Sequence, residues 1–406
     1  MSWEYIRLGD VCTKIGSGAT PKGGATAYID EGTSFIRSQN IYNLEFSHEG
    51  LVHITEDAAK KLNGVAVQKD DVLINITGDS VARTCMVPDA VLPARVNQHV
   101  AIVRPDSNRL NPRFLNYYLT SPYMQSLMLG LAVGKGASRN AMTKDMIANF
   151  DILCPPIEIQ ESIVGILSTY DALIENNQRQ IKLLEEAAQR LYKEWFVDLR
   201  FPGHENTKIT DGIPERWRKY KFSDTTSIMS GGTPKTDVKE FYNGNIPFYT
   251  PKDSDDSFFA FDTITHISQS GLDNCNSQLY PVNTVIITAR GTVGKTTILA
   301  VPMAMNQSCY ALKCDELNSP YYLFFSLKNE VAALKKMANG GVFNTIIVKT
   351  FDSIYLIAPT QDVLNMFEAS VSPIMEQIKT KARQNIILTE ARDRLLPKLM
   401  SGEIEL

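Results

Sequence analysis

The chain has 406 residues, with 41 Lys and Arg against 45 Asp and Glu (net charge −4), 44% hydrophobic and 21% charged residues. That length calls for two or three domains at roughly 150 residues each, and the composition is that of a soluble globular protein. The charge balance excludes a chain that coats nucleic acid through bulk positive charge. A membrane span of ~18 apolar residues is equally excluded, because the densest apolar run is the short "YYLFFSL" of Tyr321–Leu327.

The opening "MSWEYIRLGD" lacks the basic and apolar regions of a secretory signal. Six cysteines, at 12, 85, 154, 275, 309 and 314, form no CxxC pair, and the five histidines do not join them at metal-ligand spacing. The expectation is reduced, structural cysteines in a cytoplasmic protein.

In chain order, residues 1–155 alternate short β-like runs ("DVLINIT", "HVAIVR", "FDILCP") with turn signals, around a helical patch at Pro112–Leu131. A long helix follows Pro156 and is predicted over 156–200. Its heptad seam reads Ile163, Leu167, Tyr170, Ile174, Asn177, Ile181, Leu184, Ala188, Leu191 and Trp195. A second block of short strands ("NTVIITA", "SIYLIAP") fills 201–359. Another long helix, predicted over 360–406, has the seam Phe367, Val371, Ile374, Ile378, Lys381, Asn385, Leu388, Arg392, Leu395 and Leu399. Steps of four and three run unbroken through both, which is the narrow stripe of a coiled coil. One seam per helix and two helices per chain predict an intramolecular pair. Polar Asn177, Lys381 and Asn385 would fix its register. Packing of each helix on its own block, or on another chain, is the alternative. About 33 residues of seam is roughly 50 Å of rod, or about 15 base pairs of B-DNA.

The chain is one unit written twice. Trp3 and Asp10 match Trp217 and Asp224 at an offset of 214, and "GATPK" (Gly18–Lys22) matches "GGTPK" (Gly231–Lys235) at 213. Tyr28 and Phe35 fall on Phe241 and Phe248. "DVLINITG" (Asp71–Gly78) lies over "TVIITARG" (Thr284–Gly291), and "NQHVAIVRPD" over "NQSCYALKCD" at 209. The two helix seams keep an offset of 204 throughout. Drift of this kind is what a few loop insertions produce in a duplicated unit. Charge follows the same division. Residues 1–155 hold 15 basic against 15 acidic side chains and 199–359 hold 16 against 15, whereas 156–198 hold 4 against 8 and 360–406 hold 6 against 7.

Two stretches resemble catalytic motifs. "ARGTVGKT" (Ala289–Thr296) has the spacing of a phosphate-binding loop, in which backbone amides curl around phosphates ahead of a long helix. Here Pro302 follows too closely for such a helix, and the repeat partner "ITGDSVART" puts Ala82 and Arg83 in place of Gly294 and Lys295. A β-turn is therefore expected. "NPRF" (Asn111–Phe114) resembles the catalytic Asn-Pro-Pro-Phe loop of amino-methylating DNA methyltransferases, but no Gly-rich adenosylmethionine loop precedes it, so a loop opening a helix is expected. The Gly-rich turns, the basic residue after the strand ("VART", "VGKT") and the "GKGASRN" and "NGGVFN" segments occur in both halves. They suit phosphates and base edges, and equally the turns of a compact β-rich domain.

The run "KLLEEAAQRLYKEWFVDLRFPGHE" (Lys182–Glu205) resembles the central conserved region of type I restriction–modification specificity (S) subunits, and "RLLPKLMSGEIEL" (Arg394–Leu406) is similar to their distal one. The "G-x-TPK…Y…F" openings and the strand–turn of "ARGTVGKT" match that family's target-recognition domains, so the resemblance covers essentially the whole chain. It implies a mixed α/β fold. Two target-recognition domains, 1–155 and 201–359, would each be followed by a long helix, the helices pairing as an antiparallel coiled coil. It implies a non-catalytic subunit that reads a bipartite, asymmetric double-stranded DNA target in the cytoplasm. Its partners would be two methyltransferase (M) subunits and, in the full complex, two restriction (R) subunits. No cofactor is expected in this chain, since S-adenosylmethionine, Mg²⁺ and ATP would be held by the partners. The resemblance and position point to Lys22, Arg37, Gln39, Arg83, Lys135, Arg139 and Asn140 as DNA-binding in the first half. In the second they point to Lys235, Lys252, Arg290, Lys295 and Asn344. A P-loop NTPase and a scaffold that does not bind DNA are the competing readings.

Overall fold

The structure is a computed structural model that describes residues 3–133, 140–314, 319–337 and 345–406. Candidates Lys135, Arg139 and Asn344 lie outside the described residues. The chain divides into two compact units: unit 1 is Met1–Ile174 with Ile387–Leu406, and unit 2 is Glu175–Ile386.

Unit 1 contains two four-stranded sheets. One runs in the order Cys12–Ser17, Val100–Pro105, Val72–Asn75, Thr84–Met86, and is antiparallel throughout. The other runs Val52–Ile54, Thr33–Ile36, Ala94–Val96, Ala66–Val67, with its central pair parallel. "DVLINIT" is a strand because Val72, Leu73 and Ile74 are each fully buried, as a run lying between two packed faces requires. Unit 2 repeats the plan. Its main sheet has the order Thr226–Ser230, Cys309–Cys314, Val285–Thr288, Thr296–Leu299, with Phe259–Ala260 added at the edge. Its second sheet pairs Ile246–Tyr249 in parallel with Ala304–Met305.

Each unit is closed by a ribbon joining the start of the repeat to the strand before the long helix: Glu4–Arg7 with Asp151–Cys154, and Arg218–Lys221 with Tyr355–Ala358. Asn111 accepts from the amides of Arg113 and Phe114 (2.9 and 3.2 Å), so "NPRF" is an N-cap with proline in the first turn of the helix Pro112–Thr120. Buried Gln160 ties that cap to the first long helix, its Oε1 accepting from the Asn111 amide at 2.8 Å.

The first long helix spans Ile157–Tyr192 and ends in a π-turn, Lys193–Val197; the second spans Gln361–Met400. They pair antiparallel in both units. In unit 1, Ile163 and Leu167 share a core with Leu396, Leu399 and Met400, and Arg392 donates to Asp171 at 2.8 Å. In unit 2, Asn177 donates to Asn385 at 3.0 Å, and Ala188, Tyr192 and Trp195 share a core with Phe367, Val371 and Met375. Every residue of both seams is buried or half-buried. Towards the helix ends the stripe widens, with Met375, Leu396 and Met400 buried beside it, because there each helix also packs on a globular block. Pro373 lies on the exposed side of the second helix, which continues unbroken past it although an interior proline costs about 3 kcal/mol. Burial of the adjoining Val371, Ile374 and Met375 offsets that cost.

The seam assignment makes a stability prediction. Phe367 is fully buried against the rings of Tyr192, Trp195, Phe196 and Tyr322, so Phe367→Ala should cost about 3–5 kcal/mol. Leu183 is 65% exposed, so Leu183→Ala should stay within about 0.5 kcal/mol. Denaturant titration checks both, and equal effects would contradict the seam.

Candidate nucleic-acid interface

In unit 1 the candidates gather where the turn after Thr33–Ile36 meets the turn joining Val72–Asn75 to Thr84–Met86. Asn75, fully buried, donates to Ser38 O at 2.8 Å and to Ser80 Oγ at 3.1 Å, and Asn43 accepts from the Thr84 amide at 3.0 Å. These bonds bring Arg37, Gln39 and Arg83 to one place. The Arg37 guanidinium donates to Gly50 O at 2.6 Å and lies 5.3 Å from the centre of the Tyr28 ring. Gln39 shares that carbonyl at 3.4 Å. Arg83 stacks on Tyr42 at 4.6 Å, an arrangement that leaves a guanidinium edge free to donate. Asn140 is exposed beside the same turn, its carbonyl accepting from the Gly78 amide at 3.0 Å.

Unit 2 builds the corresponding surface from different side chains. Thr292 donates to Pro251 O at 3.2 Å and its hydroxyl meets that of Ser254 at 2.6 Å, joining the turn that carries Lys252 to the one that carries Arg290 and Lys295. Lys252 and Arg290 are exposed, and among the described residues neither side chain makes a hydrogen bond or ion pair. Lys295 is paired with Asp256. Lys22 and Lys235 occupy equivalent exposed loops; no side-chain bond or ring contact among the described residues joins either to the turns above. Their loops are shaped by glycine. A Cβ on Gly18 would run into the carbonyls of Val96 and Asn97, and one on Gly231 into those of Met305 and Asn306. That close approach explains the repeated "G-x-TPK".

The turn of "ARGTVGKT" is a β-hairpin. Thr296–Leu299 pairs antiparallel with Val285–Thr288 where a phosphate-binding loop would open a helix. The Gly294 amide donates to Thr288 O at 2.8 Å and the Lys295 amide to Thr288 Oγ1 at 3.1 Å, so these groups close the turn instead of facing a ligand. Unit 1 closes its turn alike, with the Ala82 amide on Asn75 O at 2.9 Å. Each turn has two left-handed residues at matching places, Gly78 (φ 79°) and Ala82 (φ 72°) in one, Gly291 (φ 78°) and Gly294 (φ 76°) in the other.

Several neighbours escaped the sequence reading. Tyr42, in the strand Ile41–Tyr42, and Asp256 touch the two post-strand cations from segments whose sequences have diverged. Lys328 and Lys335 lie one heptad apart on the helix Pro320–Met337, Lys335 packing over Gly294 of the Lys295 turn and Lys328 over the Phe258 ring; that spacing was the available signal. Burial, first of all, holds both amines below the usual lysine range. Among the described residues no helix is long and apolar enough to cross a membrane, and no three His, Cys, Asp or Glu side chains are placed to hold a metal.

Comparison with known proteins gives a consistent result. The family described as the type I restriction modification DNA specificity domain matches twice, over residues 1–186 and 214–363. The chain is 24% identical over 466 residues to the type I restriction enzyme HindI specificity subunit of Haemophilus influenzae, covering 99% of each. It is 25% identical over 416 residues to the MjaIX specificity subunit of Methanocaldococcus jannaschii, covering 99% of this chain and 93% of that one. The crystal structure of the S subunit from M. genitalium superposes with a TM-score of 0.59 at 15% identity, covering 98% and 96% of the two chains, and so shares the fold. With both repeats matched, the chain belongs to the type I restriction–modification DNA specificity family.

Proposed function

We propose that each unit reads one half of a bipartite, asymmetric sequence in double-stranded DNA, and that the paired helices set the gap between the halves. The observation that carries this reading is a single surface plan built twice in one chain. A glycine-shaped "TPK" loop, a turn after a sheet strand and a hairpin with a basic residue recur in both units with different side chains at the tips. Equal frames with unequal tips suit two different half-sites. Arg, Lys, Gln and Asn are the side chains that reach phosphates and base edges, and most of these contacts would fall on the backbone.

The chain in this reading is non-catalytic and cytoplasmic. It would recruit two methyltransferase subunits and, in the complete enzyme, two restriction subunits. Those partners would bind S-adenosylmethionine, Mg²⁺ and ATP. The exposed sides of the long helices suit protein partners, since residues 156–198 hold 8 acidic against 4 basic side chains and repel phosphates. A P-loop NTPase finds no support in a hairpin whose Gly294 and Lys295 amides are already bonded and where a strand follows instead of a helix. A scaffold that never meets DNA leaves the duplicated cationic turns without a purpose.

Sequencing methylated bases in cells with and without this gene tests the proposal. Loss of one bipartite methyl-adenine motif on deletion is expected, and an unchanged methylome would overturn the reading. Purified chain should not turn over ATP. Lys295→Ala should weaken DNA binding about three- to tenfold through loss of one phosphate contact; ATP turnover abolished by the same change would restore the NTPase. Removal of one heptad from each helix should shorten the gap between half-sites or abolish modification, and an active complex with the original gap would contradict the spacer.

A further inference from the structure

The two post-strand cations hold equivalent places in the repeat but have opposite kinds of partner. Arg83 rests on the ring of Tyr42, whereas Lys295 is paired with the carboxylate of Asp256, from the segment after the corresponding strand of the other unit. A ring leaves the cation's charge uncompensated, and a carboxylate cancels it.

The surroundings of Asp256 are those of an anion site. Three amines bear on its one carboxylate: Lys295 by a direct ion pair, Lys328 and Lys335 through space. The hydrogen bond from Lys295, first of all, holds that carboxyl below the usual carboxylate range. Lys328 is otherwise engaged, lying over the Phe258 ring at 4.4 Å and near the Glu185 carboxylate. Lys335 packs over Gly294 and makes no hydrogen bond or ion pair among the described residues. The Asp256 side chain is 88% exposed, so this anion can swing away into solvent. Sequence alignment puts no lysine of unit 1 at the places of Lys328 and Lys335, where Thr120 and Leu127 stand.

We propose that Asp256 is an intramolecular competitor for Lys295, occupying the place of a DNA phosphate and lowering the affinity of unit 2 for duplex of any sequence. The proposal rests on the DNA-reading function above. An exposed ion pair is weak enough for a phosphate to displace, yet each binding event must break it or bring a phosphate against a like charge. The result is a sequence-independent brake. It shortens residence on the vast excess of non-target DNA and leaves base contacts to decide where the protein stays.

The test uses the full-length chain and two duplexes, one bearing the methylated sequence and one a scrambled version, titrated over a range of salt. Asp256→Asn should tighten binding to both by about three- to tenfold and steepen the salt dependence by about one unit. In a Lys295→Ala background the same change should lose most of its effect. Unaltered or weaker binding by a folded Asp256→Asn chain overturns the brake, as does a gain that persists in full without Lys295. If the unsubstituted chain itself fails to prefer the methylated sequence, the DNA reading fails and the brake with it; a preference with no Asp256 effect removes the brake alone.

Discussion

The antiparallel pairing of the two long helices is the constraint on which the rest of the structure depends. Neither globular block has a complete core of its own. Unit 1 takes Leu396, Leu399 and Met400 from the far end of the chain, and Trp3 packs on the turn at Gly402. Unit 2 takes Ala188 and Tyr192 from the first helix together with Phe367, Val371 and Met375 from the second. Burying these side chains supplies the apolar area that blocks rich in short strands and turns would otherwise lack. The polar steps in the seam cost some of that gain in return for register: Asn177 is matched to Asn385, and Asp171 to Arg392. Residue 171 corresponds to Met375 in the other repeat and 392 to Ala188, both fully buried, so an ion pair in one unit stands where an apolar contact stands in the other. The two repeats thus satisfy the same place in different ways.

The frame was legible in the sequence because it rests on periodicities. Heptad steps picked out positions that are all buried or half-buried, though they passed over Asp171, the partner of Arg392, and the constant offset of 204 anticipated two helices of one design. "G-x-TPK" pointed to a tight loop, and the structure supplies the reason in the carbonyls that crowd Gly18 and Gly231. Local chemistry also argued correctly against both catalytic look-alikes: Asn111 caps a helix and "ARGTVGKT" closes a hairpin. What could not be read was side-chain partnership across the sheets. Nothing in "FIRSQN" says that Arg37 is tied to Gly50 and Tyr28, or in "KDSDDS" that Asp256 reaches Lys295. Such pairs are set by loop geometry, which has no period, and the same holds for the widening of the stripe at the helix ends.

The two surfaces share backbone plan and differ in electrostatics. In unit 1 Arg37 and Arg83 lie against rings and a carbonyl, with no carboxylate paired to them among the described residues; in unit 2 a cluster of three lysines is partly cancelled by Asp256 and Glu185. A specificity protein gains from this inequality, because unlike surfaces are what allow one chain to tell the two ends of an asymmetric target apart.

The central claim is that the helix pair is a common frame on which two independent readers are mounted. It is tested most directly by exchanging residues 1–155 for the corresponding block of a relative with a different target, leaving both helices intact. The methylated sequence should then change in one half only, with the other half and the gap preserved. A target altered in both halves, or a changed gap in a folded and active complex, would contradict the account.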